Sequence, residues 1–372
     1  MIALKTHTSR KNQITGKSGN ATDFIEKLIA ERKGIIDRAV DRYFPRRLDS
    51  EKLEFICGPP SYDYDLEAVS NAIYAPGWDL LDRGGKRWRP LLMMLVIEAL
   101  GKKPDDFLDF LAIPEVVHNG TLIIDDIEDG SDLRRGKPCV HKIYGTDIAV
   151  NAGNGMYYIP LLPVIKGRKK YPDALLLDIC EIYLQEMINI SHGQAMDIYW
   201  HRGNKSGITV EQYMQMCAYK TGTLARMSAK LGARLAGADD RLVHAFGKFA
   251  ESIAVAFQIQ DDVLNLRQKL GKETGEDIKE GKRSLLVIRA LSRLPKKDAG
   301  RLLEILSMHT GDKKLVNEAI RLIKATDAFG FAETLSKKLV DDSWAALEKM
   351  LPPSDAKRSL QMFAEYLIAR GR

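Results

Sequence analysis

Along most of the chain apolar residues recur every three to four positions, and no stretch of strict alternation long enough for a strand interrupts them. The pattern predicts an all-α protein. Helices are expected over 66–81, 86–100, 105–129, 138–166, 173–200, 210–235 and 241–266, and beyond Arg283 the breaks at Leu294-Pro295, Thr310-Gly311, Phe329-Gly330 and Pro352-Pro353 leave shorter ones. A further helix is expected over 21–44, where Phe24, Leu28, Ile35, Ile36 and Val40 fall at roughly helical intervals. Thr22 or Asp23 offers its N-cap oxygen and Pro45 ends it.

The glycine and prolines of Cys57-Gly58-Pro59-Pro60-Ser61 read as a loop, which separates an N-terminal helix and loop over 21–64 from a main domain over 65–372. The first 20 residues are rich in Lys, Ser and Thr, carry no acids and lack an amphipathic pattern, so a disordered tail is expected there. Between Ala112 and Leu266 the helices are apolar around much of their circumference. Such helices belong inside a bundle, where facing side chains can build a site in the core, so their few polar residues carry the functional signal.

With 45% of residues apolar and 28% charged, the composition is that of a globular protein able to bury a large core. The 56 basic residues exceed the 50 acidic ones by only six, which argues against a nucleic-acid partner and suits small anionic substrates. Cys57, Cys139, Cys180 and Cys217 form no C-x-x-C pair, so neither a disulfide framework nor a zinc site is indicated and a cytoplasmic setting is expected. The best apolar run, 90–100, is too short to span a bilayer and contains Glu98, so the chain is not expected to be integral to a membrane.

Two acidic clusters stand out on helices otherwise apolar. Asp125, Asp126 and Asp129 close an apolar helix at positions i, i+1 and i+4, with Asp125 and Asp129 on one face and about 6 Å apart along the axis. Burying either carboxylate unpaired is costly, so a cation must offset them. Magnesium suits this, because it is commonly held by one or two carboxylates and completed by substrate phosphates. In the second cluster Gln258, Asp261, Asp262 and Asn265 follow i, i+3, i+4, i+7 spacing and share a face. Facing helices bearing these stripes would pin divalent ions between them, ready to bridge a diphosphate.

The Asp125-Asp126-x-x-Asp129 motif followed by Arg134-Arg135-Gly136, the second Asp261-Asp262 pair after Phe257-Gln258, and Gly84-Gly85-Lys86-Arg87-Trp88-Arg89-Pro90 together closely resemble the polyprenyl synthetase family of trans-isoprenyl diphosphate synthases. The resemblance runs from about Leu66 to the C-terminus. It implies a single large antiparallel helical bundle around a deep central cavity, and an enzyme that condenses isopentenyl diphosphate with an allylic diphosphate, head to tail and trans, releasing pyrophosphate.

Residue by residue, the resemblance implies that Asp125, Asp126, Asp129, Asp261 and Asp262 hold magnesium on the allylic diphosphate, and that Arg134, Lys220 and Lys282 contact the same group. Lys86, Arg89, His118 and Arg135 match positions that bind isopentenyl diphosphate without metal. Thr221 and Gln258 match neutral dipoles beside the allylic cation, Gln194 and Asp197 match a segment lining the cavity, and Lys272 matches a loop lysine near the phosphates. A homodimer is also implied.

Asn265 stands where many members carry a third aspartate, a character frequent among geranylgeranyl diphosphate synthases, and Cys139 stands where threonine is frequent. Product length should depend on the residues one and two turns before the first cluster, Val117, Gly120 and Thr121. None is aromatic, so geranylgeranyl diphosphate is the expected product, although a neighbouring helix bearing Met156, Tyr157 and Tyr158 could supply the floor instead. A class I terpene cyclase is the nearest chemical rival, but it needs no second diphosphate site such as the Lys86 and Arg134-Arg135 motifs offer. A non-catalytic partner subunit would be expected to have lost an aspartate cluster, and both are present.

Overall fold

The computed structural model describes residues 14–205, 207–267 and 275–369. Its principal helices are α1 (Ile14–Tyr43), α2 (Trp88–Ala99), α3 (Ala112–Glu128), α4 (Thr146–Tyr158), α5 (Asp173–His201), α6 (Val210–Lys220), α7 (Gly222–Leu235), α8 (Asp240–Leu266), α9 (Ala328–Leu347) and α10 (Asp355–Ala369). The only strands among the described residues are Leu133–Arg134 and Lys137–Pro138, a two-residue antiparallel ribbon. Its turn, Arg135 and Gly136, has φ of 53° and 76°, the left-handed pair that matches the twist of a tight hairpin. The all-α reading stands.

Several of the long helices expected from periodicity are shortened or broken. Gly145, at φ 94°, separates Val140–Tyr144 from α4, and Pro160 and Pro163 then turn the chain through short segments. The expected 86–100 helix begins only at Trp88, because Gly84, Gly85 and Arg87 all have positive φ. The 210–235 helix divides at Thr221, between α6 and α7. Conversely, α1 begins at Ile14, inside the stretch expected to be tail.

The α1 helix does not stand apart from the rest. Its Ile36 and Val40, with Phe44 just past its end, are buried with Met93, Val116 and Leu231, and its Ile25 is buried with residues of α2, α8 and α10. Buried charge ties it in as well: Arg87 bridges Asp37 of α1 at 3.0 Å and Glu115 of α3 at 2.8 Å. One stretch among the described residues, Pro104–Glu128, is long and apolar enough to cross a membrane, yet 67% of its apolar window is buried inside the protein.

Candidate active site

The α3 helix ends where its acids are. Gly130, at φ 65°, stops it, with Ser131 N–H donating to the carbonyl of Asp126. Asp125, Asp126 and Asp129 therefore occupy the negative end of a helix dipole, a second electrostatic reason to expect a cation nearby. Asp125 borders three connected hollows. The largest, about 540 Å3, is also lined by Asp261, Lys220, Thr221, Gln258, Arg134 and Gln194, and it continues past Leu122, Ile124, Tyr157, Met187, Ile190 and Leu224. A polar mouth thus leads into an apolar depth, and Asp125 and Asp261 share it although 136 residues separate them.

Within the first cluster the three aspartates differ. Asp125 accepts from Gln194 Nε2 at 2.9 Å and lies 3.1 Å from Lys220 Nζ. Burial opposes its ionisation, but the ammonium groups of Lys220 and Lys282 outweigh that and hold its carboxyl below the usual range. Asp129 lies 3.4 Å from Lys282; burial and the neighbouring Asp125 charge leave its carboxyl raised. Asp126 is fully buried, with Oδ1 accepting from Arg134 Nε at 2.7 Å and Oδ2 buried without a partner. Burial and the Asp126 charge push the nearby Cys139 thiol up to about 12, so it stays protonated.

The second cluster divides in the same way. Asp261 is exposed at the cavity wall, whereas Asp262 is buried and accepts from Tyr213 OH at 2.6 Å and Gln258 Nε2 at 3.0 Å. Thr221 Oγ1 donates to Gln258 Oε1 at 3.0 Å, so Thr221, Gln258 and Asp262 form one chain of hydrogen bonds along the cavity edge. Lys220 reaches the site because the α6–α7 break sits against Gly193, where an added Cβ would lie 2.3 Å from Lys220 N. Its ammonium is 2.5 Å from Asp197. Lys282 sits 2.5 Å from Glu280.

Among the described residues no three His, Cys, Asp or Glu side chains close on one point as a preformed metal cage. Asp125, Asp129 and Asp261 nonetheless line the hollows, and Lys220 and Lys282 stand beside Asp125 and Asp129. This donor set fits magnesium, which retains several non-protein ligands. Asp126 and Asp262 are buried and hydrogen-bonded, a geometry of anchors for Asp125 and Asp261 beside them.

The basic residues expected to hold the second diphosphate gather unevenly. Arg89 and His118 line the cavity. Arg89 stacks on Trp88 at 4.2 Å, its Nε is buried without a partner, and burial together with Arg135 pulls its guanidinium down to about 10. Burial, then the charges of Arg89, Arg135, Arg134 and Arg87, hold the His118 imidazole well below its usual range and so neutral. Arg135 instead donates to the carbonyl of Leu80 at 3.0 Å, and Lys86 donates to Tyr366 OH at 2.7 Å and Glu26 at 3.3 Å. Neither lines the cavity. Lys272 lies outside the described residues.

The three residues expected to set chain length lie in different surroundings. Thr121 lines the cavity, but Val117 is buried in the core and Gly120 faces α4, where an added Cβ would lie 2.8 Å from Met156 Cβ and 3.0 Å from the carbonyl oxygen of Gly153. The missing side chain lets α3 and α4 cross closely, and Tyr157 of α4 reaches the cavity wall. Sequence reading also missed Asp277, which borders the same polar hollow as Asp125, Asp262 and Lys282. Asn265 supports it, accepting from Asp277 N–H at 3.2 Å.

The polyprenyl synthetase family profile matches residues 70–323. A short chain isoprenyl diphosphate synthase of Methanothermobacter thermautotrophicus is 34% identical, over 78% of this chain and 88% of its own. A geranylfarnesyl diphosphate synthase of Natronomonas pharaonis is 30% identical over 94% of this chain and 99% of its own. Among solved structures, a geranylgeranyl pyrophosphate synthetase from Pyrococcus horikoshii superposes with a TM-score of 0.80 at 30% identity, covering 93% of this chain and 98% of that one. With the motifs in order and the helices in place around them, the chain belongs to the polyprenyl synthetase family and is a prenyltransferase.

Proposed function

We propose that the chain condenses isopentenyl diphosphate with an allylic diphosphate to give geranylgeranyl diphosphate and pyrophosphate. The observation that carries this reading is the shared cavity of Asp125 and Asp261, polar at its mouth and apolar beyond. Asp125, Asp129 and Asp261 would hold magnesium, while Asp126 and Asp262 fix the two helix ends. When bound, magnesium neutralises the charge that develops on the departing diphosphate.

The protein's own groups do the rest. Lys220, Lys282 and Arg134 surround the allylic diphosphate with fixed positive charge, an interaction that strengthens as the carbon–oxygen bond breaks. The Thr221 hydroxyl and Gln258 amide offer neutral dipoles beside the allylic cation without donating a nucleophile. Arg89, with its unpartnered buried donor, and neutral His118 hold isopentenyl diphosphate so that its alkene faces that cation. Lys86 and Arg135 lie just outside and would join by turning inward. The apolar walls exclude water from the cation.

The product length rests on the small Thr121 and on the presence of geranylgeranyl diphosphate synthases of Sulfolobus acidocaldarius and Methanosarcina mazei among the relatives, at 30% and 31% identity. We also propose a cytoplasmic homodimer. Leu177, Leu184 and Ile188 form an exposed apolar stripe on α5, with Val150 and Tyr158 exposed on α4, a surface suited to a second copy.

The decisive experiment incubates the purified chain with magnesium, isopentenyl diphosphate and dimethylallyl, geranyl or farnesyl diphosphate in turn, followed by product chromatography. A C20 diphosphate is expected. Consumption of the allylic substrate alone, giving a cyclic hydrocarbon, would overturn the reading in favour of a cyclase, and absence of turnover would overturn catalysis.

A further inference from the structure

Away from the cavity, four helices converge on one buried guanidinium. Arg226 of α7 is 7% exposed and lines none of the hollows that Asp125 borders. Its Nε donates to both oxygens of Glu186 on α5, at 2.9 and 2.8 Å, and its Nη2 to Glu186 Oε2 at 2.5 Å. Its Nη1 donates to Glu251 on α8 at 2.5 Å and to the backbone carbonyl of Ala218 on α6 at 3.1 Å. Thr223 on α7 accepts from Nη2 at 3.0 Å. Each carboxylate has a second cation: Lys230 lies 2.8 Å from Glu186, and Lys248 lies 2.6 Å from Glu251.

A buried cluster of this kind contributes little net stability compared with apolar packing, yet its geometry is exacting. What it holds is the α6–α7 break. Ala218 lies three residues before Thr221, and Gly222 starts α7 on the other side. The bonded helices carry the reactive groups: α5 bears Gln194 and Asp197, the break bears Lys220 and Thr221, and α8 bears Gln258, Asp261 and Asp262. Further along α5, Gly193 packs directly on the backbone of the break, where an added Cβ would meet Tyr219 C at 2.6 Å and Lys220 N at 2.3 Å. Two contacts thus hold successive backbone at the end of α6, Arg226 at Ala218 and Gly193 at Tyr219 and Lys220, immediately before Thr221.

We propose that Arg226 is a positioning residue that sets the placement of Lys220 and Thr221 over the allylic diphosphate, with Gly193 as its counterpart. The inference rests on the proposed prenyl transfer. Lysine at 226 keeps the charge but has no planar fork, so it cannot bond Glu186, Glu251 and Ala218 together. Small displacements of groups that act at the transition state cost rate far more than binding of a remote substrate.

The test is a cycle of variants: wild type, Arg226→Lys, Lys220→Ala with Thr221→Ala, and all three substitutions combined. Arg226→Lys is expected to lower kcat by about 10- to 100-fold with KM for isopentenyl diphosphate unchanged. In the background lacking Lys220 and Thr221 the same change should alter kcat by less than about threefold, because coupled residues fail to add. Calorimetric binding of inorganic pyrophosphate with magnesium should follow the same pattern, weakening about 10-fold only when Lys220 and Thr221 are present. Gly193→Ala, whose added methyl would press on Tyr219 and Lys220, should repeat the pattern, and a cooperative melt recorded for each variant guards against one that merely fails to fold. Equal losses in both backgrounds, or no loss at all, overturn the inference. Absence of wild-type turnover overturns the proposed reaction instead, and the pyrophosphate measurement still decides the role of Arg226.

Discussion

Lys220 Nζ stands 3.1 Å from Asp125 Oδ1, joining the break between α6 and α7 to the end of α3. The pair is more than a salt bridge, since the lysine also lies 2.5 Å from Asp197 and the aspartate also accepts from Gln194. In the proposed reaction this lysine would meet a phosphate of the allylic substrate. Lys220→Ala is expected to lower kcat by about 10²- to 10³-fold, the scale of losing one fixed donor at a developing negative charge. Steady-state kinetics with saturating magnesium measures it, and a loss confined to KM would refute a transition-state role.

Among the described residues the carboxylates do not form a closed metal cage, which separates two kinds of stabilisation. Magnesium alone should shift the melting temperature little. Magnesium with inorganic pyrophosphate should shift it clearly, because the anion completes the coordination and binding favours the folded state. Chelation with EDTA should abolish turnover, and added magnesium should restore it. A large shift with magnesium alone would show a preformed site.

Product length should respond at Thr121 and Tyr157, which line the cavity. Thr121→Phe is expected to shorten the product, and Tyr157→Ala to lengthen it, as read by chromatography of the dephosphorylated chains. Gly120→Phe serves as the contrast: at a close helix crossing, overpacking costs about 1–3 kcal/mol even for modest additions, so the expected result is a destabilised protein. A stable Gly120→Phe enzyme with a shorter product would restore Gly120 as a cavity residue.

Asp277 is held well above its usual 3.8 by burial and by the charge of Asp262, with Lys282 offsetting only part of this and Glu280 adding to it. A carboxyl raised in the folded state contributes stability below its unfolded value and loses that contribution as pH rises through its folded one. Asp277→Asn should therefore raise the melting temperature of the metal-free protein at about pH 8, with the gain shrinking as pH falls toward about 4. Melts across that range check the sign; a gain independent of pH would assign the effect to packing.

Much of the site could be read in the sequence because helical periodicity is local. Asp125 and Asp129 announce themselves as acids one turn apart on an apolar helix, and Gln258, Asp261, Asp262 and Asn265 as a polar stripe. What periodicity does not encode is which helix lies opposite. Nothing on the helix of Gly120 shows that α4 packs against that position, and nothing in the sequence around Asp277 marks it as a neighbour of Asp262. The break at Thr221 was invisible for a related reason: the apolar repeat runs through it unbroken, and the interruption is held from outside by Gly193 and Arg226.

The α1 helix lies entirely before the family-matched residues 70–323, yet Ile25, Ile36, Val40 and Phe44 are sealed in the interior and Phe44 takes a hydrogen bond from Trp78 Nε1 at 3.0 Å. Trimming the gene to the matched stretch would strip Asp37 from Arg87 and Glu26 from Lys86, baring a greasy trench along α2 and α3. A minimal fragment chosen by homology alone would consequently clump, and any shortened version meant for engineering has to begin upstream of this leading helix.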